Sequence, residues 1–330
     1  MDFLHTLYEE LISFLGIGGV LKMFQSGDYS SLRTLDGVLN ILYPVIPLLL
    51  IIEIIRVAIM KEFKIAQFKM PFIIYVLNAF ISRFISIGLT GFAIGYFSKY
   101  AIFKTTFTWY WLIYGYIIWE FSHFIYHFFA HKVRLFWCLH STHHTPENMN
   151  LSVSFAHFFL EAPYADIIRT TICIVMGINP PLLFFIMFID GFWGNFIHAG
   201  EAILKDGRLG FLNRFILTPS HHRVHHSKNP LYMDTNFCNL LNIWDRVFKT
   251  YQPEKTTVPP EYGITRKVNK NNVLDVYVGE FALLFRDIVK APGIKNKILY
   301  IFMPPGWSHT GDHKTATVVK KEFLQQSSST

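Results

Sequence analysis

Hydrophobic positions in this chain fall into long, nearly unbroken blocks separated by short polar joints, which predicts an all-α fold. Gly37 to Met60 is almost continuously apolar, enough for a helix to cross a bilayer, which takes about 20 residues. A second run, from Pro71 to Phe97, and a third, starting near Phe107, are expected to cross as well. Between the first two lies KEFKIAQFK, residues 61 to 69, with three lysines and a single acid. Basic excess marks cytoplasmic loops, so the third run should return to the cytoplasmic face near His127. Upstream, Phe3, Leu7, Leu11 and Leu15 repeat at helical spacing and predict an interfacial helix over residues 3 to 24.

Further along, residues 158 to 176 are apolar but interrupted by Glu161, Pro163, Asp166 and Arg169. GINPP at 177 to 181 then supplies a stop and a turn, and residues 182 to 197 run back. A hairpin dipping into the membrane fits this pattern. From Val273 to Ala291 helical periodicity resumes, with Phe281, Leu284, Phe285 and Ile288 on one face. With Arg286, Lys290, Lys295 and Lys297 nearby, it reads as a basic amphipathic helix on the membrane. The polar tail KKEFLQQSSST is expected to be disordered. The chain thus divides into an N-terminal interfacial segment (1–36), a transmembrane and catalytic region (37–262), and an amphipathic helix with a polar tail (263–330).

Composition agrees with a polytopic membrane helical bundle. Hydrophobic residues make up 52% of the chain and charged residues only 16%, against about a quarter in soluble domains. The net charge of +7 is scattered beside apolar runs, which suits an anionic membrane surface rather than nucleic acid. Cys138, Cys173 and Cys238 form no CxxC motif and predict neither disulfides nor an iron–sulfur cluster.

The candidate chemistry lies in the polar joints, where histidines collect in three boxes. HFFAH places His127 and His131 four apart, so both rings leave one face of a helix. HSTHH places His140, His143 and His144 at spacings of three and four, and HRVHH does the same with His222, His225 and His226. Each trio is expected to occupy one helical face. One such pair would usually be a wet helix end, but three boxes make coincidence the poorer account. Neutral imidazole is a ligand for iron, zinc, copper and nickel. Eight imidazoles exceed what one ion takes, so the count points to a dinuclear site carried by a helical cap at the cytoplasmic face.

The order HxxxH, HxxHH, HxxHH in a hydrophobic chain resembles the fatty acid hydroxylase and sterol desaturase superfamily of membrane di-iron enzymes. Within it, TPSHHRVHHSKNPLYMDTNFCNLLNIWDRVFKTYQPE, residues 218 to 254, looks like the alkylglycerol monooxygenase branch. That branch reads His-Arg-x-x-His-Glu at its first box, whereas this chain has HFFAHK, with Phe128 and Lys132 at the differing positions. The resemblance implies two irons that use O2 to hydroxylate a C–H bond of a membrane lipid, with ether cleavage of alkylglycerols as one outcome. Sterol or fatty acyl hydroxylation or desaturation is the alternative. It also implies a ninth ligand between the second and third boxes, for which His198 is placed at the end of the returning hairpin leg.

Electrons must then come from a separate donor: a tetrahydropterin, a cytochrome b-type carrier or a ferredoxin. Metal-bound histidines usually donate their other ring N–H to a carboxylate or carbonyl. Asp245 is the leading candidate for that role, with Glu161, Asn150, Asn236 and His221 beside it and His157 as a channel or packing residue. A hydrolytic zinc site is disfavoured because HExxH is absent. A non-enzymatic metal or haem protein would spread its histidines through several spans, whereas these gather at one edge.

Overall fold

The computed structural model describes residues 5–6, 8–10, 12, 17–28, 30, 42, 44–61, 64–78 and 80–327. The chain separates into two compact units, residues 1–63 and 64–330. In the first, α1 (Gly18–Ser26) ends on Gly27, whose φ of 67° is the left-handed conformation that glycine adopts without steric cost. The second helix, α2 (Val45–Ile59), covers part of the expected first span and buries Glu53. Residues 37–41 of that expected span, and Phe3, Leu7, Leu11 and Leu15, lie outside the described set.

The second unit holds every histidine box. Its longer helices are α3 (Ile65–Asn78), α4 (Ile81–Phe97), α5 (Trp109–Lys132), α6 (Arg134–His144), α7 (Glu161–Val175) and α8 (Pro180–Phe196). After them come the short α9 (Pro219–His225) and α10 (Ile243–Val247), then α11 (Val273–Lys290), α12 (Gly293–Phe302) and α13 (Ala316–Ser327). Among the described residues the only β pairing is three isolated bridges, so the fold is all-helical.

The apolar run from 71 to 97, expected to be one span, is two helices. Asn78 ends α3, and its buried amide donates to the His157 carbonyl while its oxygen accepts from the Tyr277 hydroxyl. A buried amide needs such partners, and here they tie the break to the loop before α7. One helical stretch among the described residues, Ile81–Tyr100, is long and apolar enough to cross a membrane. It leaves Phe84 81% and Ile87 66% exposed, a surface that suits hydrocarbon better than water.

The α7–α8 hairpin follows the sequence pattern closely. Gly177 turns the chain at φ 86°, and a Cβ there would stand 2.6 Å from the Phe103 carbonyl oxygen. Asn179 caps α8 by accepting from the Leu182 N–H at 2.9 Å, with Pro180 at the first helical position. Tyr116 and Trp119 of α5 pack against Cys173, Ile178, Leu182 and Ile186 to form the largest core cluster. On the other side of the boxes, Cys138 of α6 packs against Leu284, Ala291 and Tyr300. The tail expected to be disordered is helical from Ala316 to Ser327, because Phe323 docks on the Val224, Leu231 and Tyr232 cluster.

Candidate metal centre

The last two turns of α5 carry His127 and His131, and one extended residue, Val133 (φ −118°, ψ 120°), separates α5 from α6. From this joint α6 packs back on α5 and presents His140, His143 and His144. His198 follows the end of α8. In α9, Pro219 takes the first position after the Thr218 N-cap, and His222, His225 and the capping residue His226 follow.

All nine side chains are buried, and they gather in two groups whose ligating atoms lie within 4.8 Å of one another. The first group holds His127, His131, His140, His144 and His225; the second holds His143, His198, His222 and His226. Neither trio stays on one side, contrary to the sequence expectation. In α6, His140 and His144 face the first group and His143 the second; in α9 the assignment is mirrored, with His222 and His226 in the second group and His225 in the first. The reason is angular. Successive helical residues are about 100° apart, so the third residue falls about 60° to one side of the first and the fourth about 40° to the other.

The second ring nitrogens show which protons are where. The Nδ1 atoms of His127, His225 and His198 donate to the carbonyls of Phe237 (2.8 Å), Thr235 (2.8 Å) and Gly194 (2.6 Å). His140 Nδ1 donates to Glu161 Oε1 at 2.5 Å. Each of these rings therefore turns a bare Nε2 lone pair inward. Even so, His127 Nε2 and His140 Nε2 are 3.0 Å apart, as are His144 Nε2 and His140 Nε2. In the second group the Nε2 separations are 3.1 Å for His198 and His143, 2.8 Å for His222 and His198, and 3.0 Å for His226 and His222.

Between His127 and His140, whose Nδ1 atoms both donate outward, the facing Nε2 lone pairs repel unless a cation lies between them. Metal–nitrogen bonds of about 2.1 Å at right angles place the nitrogens about 3.0 Å apart, and tetrahedral angles place them about 3.4 Å apart. These separations are compatible with a metal ion in each group. His131 Nε2 and His225 Nε2 are buried without a hydrogen-bond partner, as ligand atoms would be. Burial pushes His143, His144, His222, His225 and His226 well below the usual imidazole range, so they are neutral and able to ligate.

Of the expected supporting residues, Glu161 touches the centre directly, accepting from His140, from His157 Nδ1 at 2.8 Å and from the Tyr126 hydroxyl at 3.2 Å. His157 in turn stacks on His143 at 4.2 Å. Asp245 acts one step removed. Its carboxylate accepts from the Phe237 and Cys238 N–H groups at 2.7 and 2.9 Å and from Thr250, fixing the carbonyl to which His127 donates.

Asn236 clasps the His221 and Gln252 carbonyls, and His221 caps α9 through Thr218 and meets the Tyr251 hydroxyl at 2.8 Å. Asn150 caps the turn at Ser152. None of these three is placed in either histidine group. Asp234 pairs with His131 at 3.5 Å and with Lys132. The carbonyl partners Phe237, Thr235 and Gly194 had no signature in residue type, since every residue carries a backbone carbonyl.

A cavity of about 450 Å³ adjoins both groups, with His131, His144, His225 and His226 in its wall. Trp137, Met233 and the segments around Ile264, Pro305 and Thr317 close it.

The fatty acid hydroxylase family model matches residues 112–250, which include all nine histidines. The chain is 34% identical to an alkylglycerol monooxygenase from Xenopus tropicalis over 192 residues, 57% of this chain and 40% of that one. To the alkylglycerol monooxygenase of Homo sapiens it is 32% identical over 192 residues, with the same coverage of 57% and 40%. It is 27% identical to an ornithine lipid hydroxylase from Rhizobium tropici over 159 residues, 48% of this chain and 47% of that one. The chain thus spans about 40% of the length of the alkylglycerol monooxygenases it matches. No solved structure matches it. Both histidine groups thus lie within the segment, residues 112–250, that matches the fatty acid hydroxylase family model.

Proposed function

We propose that the protein is a multi-pass membrane di-iron oxygenase that hydroxylates a C–H bond of a lipid, with its active site at the cytoplasmic face. The observation that carries this reading is the division of nine buried imidazoles into two adjoining groups of five and four. His127, His131, His140, His144 and His225 would hold one iron, and His143, His198, His222 and His226 the other. Bound there, a pair of irons supplies O2 activation. One oxygen atom enters the C–H bond and the other leaves as water, consuming two protons and two electrons from an external donor.

The chain's own residues orient and protect. The carbonyls of Phe237, Thr235 and Gly194 fix three imidazole tautomers, and Glu161 fixes a fourth. Trp137 and Met233 help exclude water from the cavity beside the histidines. The names of the relatives support a lipid substrate, and ether cleavage of alkylglycerols is the first reaction to assay.

Metal analysis of purified protein tests the reading. Two irons per chain, with the Mössbauer signature of a coupled pair, are expected. A haem absorbance band, or a single mononuclear ion, would overturn it.

A further inference from the structure

A second cavity, of about 520 Å³, opens beside the one that meets the histidines and shares Met233, Asp234, Ala316 and Thr317 with it. The two compartments therefore adjoin along these four residues. Both are lined by more basic than acidic side chains, and the outer one carries Lys132, Lys249, Lys320 and Lys321 against a single carboxylate, Asp234.

That carboxylate is already engaged by His131 and Lys132. Lys249, Lys320 and Lys321 thus share this wall with one carboxylate that is already paired with Lys132. Lys320 is recessed rather than free in solvent, and burial pushes its amine below the ordinary range, with the charge of Asp234 opposing the shift and that of Lys132 adding to it. Crowding like charges in a recess is costly, and an anion seated among them reverses the sign of the interaction. Phe323 docks α13 on Val224 and Tyr232, which holds the lysine pair in place beside the groove.

We infer that this outer compartment binds the phosphate of a lipid headgroup at Lys249, Lys320 and Lys321, with the adjoining part of the lipid reaching past Met233 and Thr317 toward the histidines. Lysine suits phosphate as a strong point charge. The compartment adjoins the inner cavity, so it suits a small anionic group joined to a longer molecule. The inference deepens the oxygenase reading and rests on it: the substrate would be anchored by its anionic head and oxidised at a carbon close to that head.

Calorimetry on the full, metal-loaded chain in uncharged maltoside micelles tests this with three probes: lysophosphatidate, a monoacylglycerol of the same chain length, and inorganic phosphate. Lysophosphatidate should bind about tenfold or more tighter than the monoacylglycerol. The double variant K320A/K321A should erase that difference, and K320R/K321R should keep it. Equal binding of the charged and uncharged lipids, or indifference to K320A/K321A, overturns the inference.

Inorganic phosphate binding as tightly as lysophosphatidate, with the same lysine dependence, overturns the lipid assignment in favour of free phosphate. Loss of turnover with an acidic electron-donor protein, without loss of lysophosphatidate binding, makes the surface a docking face instead and also overturns it. Iron content measured on the same samples separates the two proposals. Two irons with no lysine effect refute only this inference, and lysine-dependent binding without iron refutes only the oxygenase reading.

Discussion

The two histidine groups are built from the same parts but are not equally supported. In the five-histidine group, four rings have their outer nitrogen held: His127 by the Phe237 carbonyl, His225 by the Thr235 carbonyl, His140 by Glu161 and His131 by Asp234. In the four-histidine group only His198 has such a partner, the Gly194 carbonyl, while His143 Nδ1 and His222 Nδ1 are buried without one. A ring whose outer nitrogen is held is oriented before the ion arrives; one without must be oriented by the ion itself. The first group is therefore the better prepared. The second offers fewer imidazoles.

The largest expected effect comes from removing a ligand on either side of this divide. His144→Ala should drop the iron count from two to one by emptying the five-histidine group, and His226→Ala should do so by emptying the other, each reducing turnover to background. Elemental analysis with Mössbauer spectra distinguishes the remaining ions. If the two variants retain the same ion, the division into groups is wrong.

Next in size is Glu161→Ala, which removes the partner of both His140 and His157. Metal affinity should fall about 10–100-fold, with Glu161→Gln milder, read by competition with a chromogenic chelator. A chelator titration of the unmodified protein should be biphasic, the four-histidine group losing its ion first with an affinity about tenfold weaker. His226→Ala should abolish that early phase, and loss of the late phase instead would reverse the ranking.

Smaller still, Asp245→Asn weakens the grip on the Phe237 and Cys238 N–H groups and should cost about 1–3 kcal/mol of stability, seen as a lower thermal midpoint. Asn150→Ala should cost about 1 kcal/mol through a lost cap and leave both ions in place, which marks the outer boundary of the centre.

Much of this was legible in the sequence because histidine is rare in apolar chains and its spacing survives folding. HFFAH, HSTHH and HRVHH announced the segments whose histidines gather, and GINPP announced the hairpin that carries His198. What the spacing conceals is the fan of directions within each trio, since residues three and four apart diverge enough to enter different histidine groups. Hydropathy likewise joined 71 to 97 into one span because Asn78 looks like a tolerated polar residue until its partners, His157 and Tyr277, arrive from 79 and 199 residues away. The polar tail looked unstructured because the single aromatic that docks it, Phe323, finds its seat on a distant segment. Contacts of that kind leave no local periodicity to read.

Val133 carries no chemistry, yet it acts as the gauge block for the whole centre. One added residue at that joint would rotate His140 by about 100° about the axis of α6, away from Glu161 and out of step with His127, while every ligand remained present in the chain. Length, rather than identity, is what selection must guard at this position, and a ruler only one residue long leaves no tolerance for error.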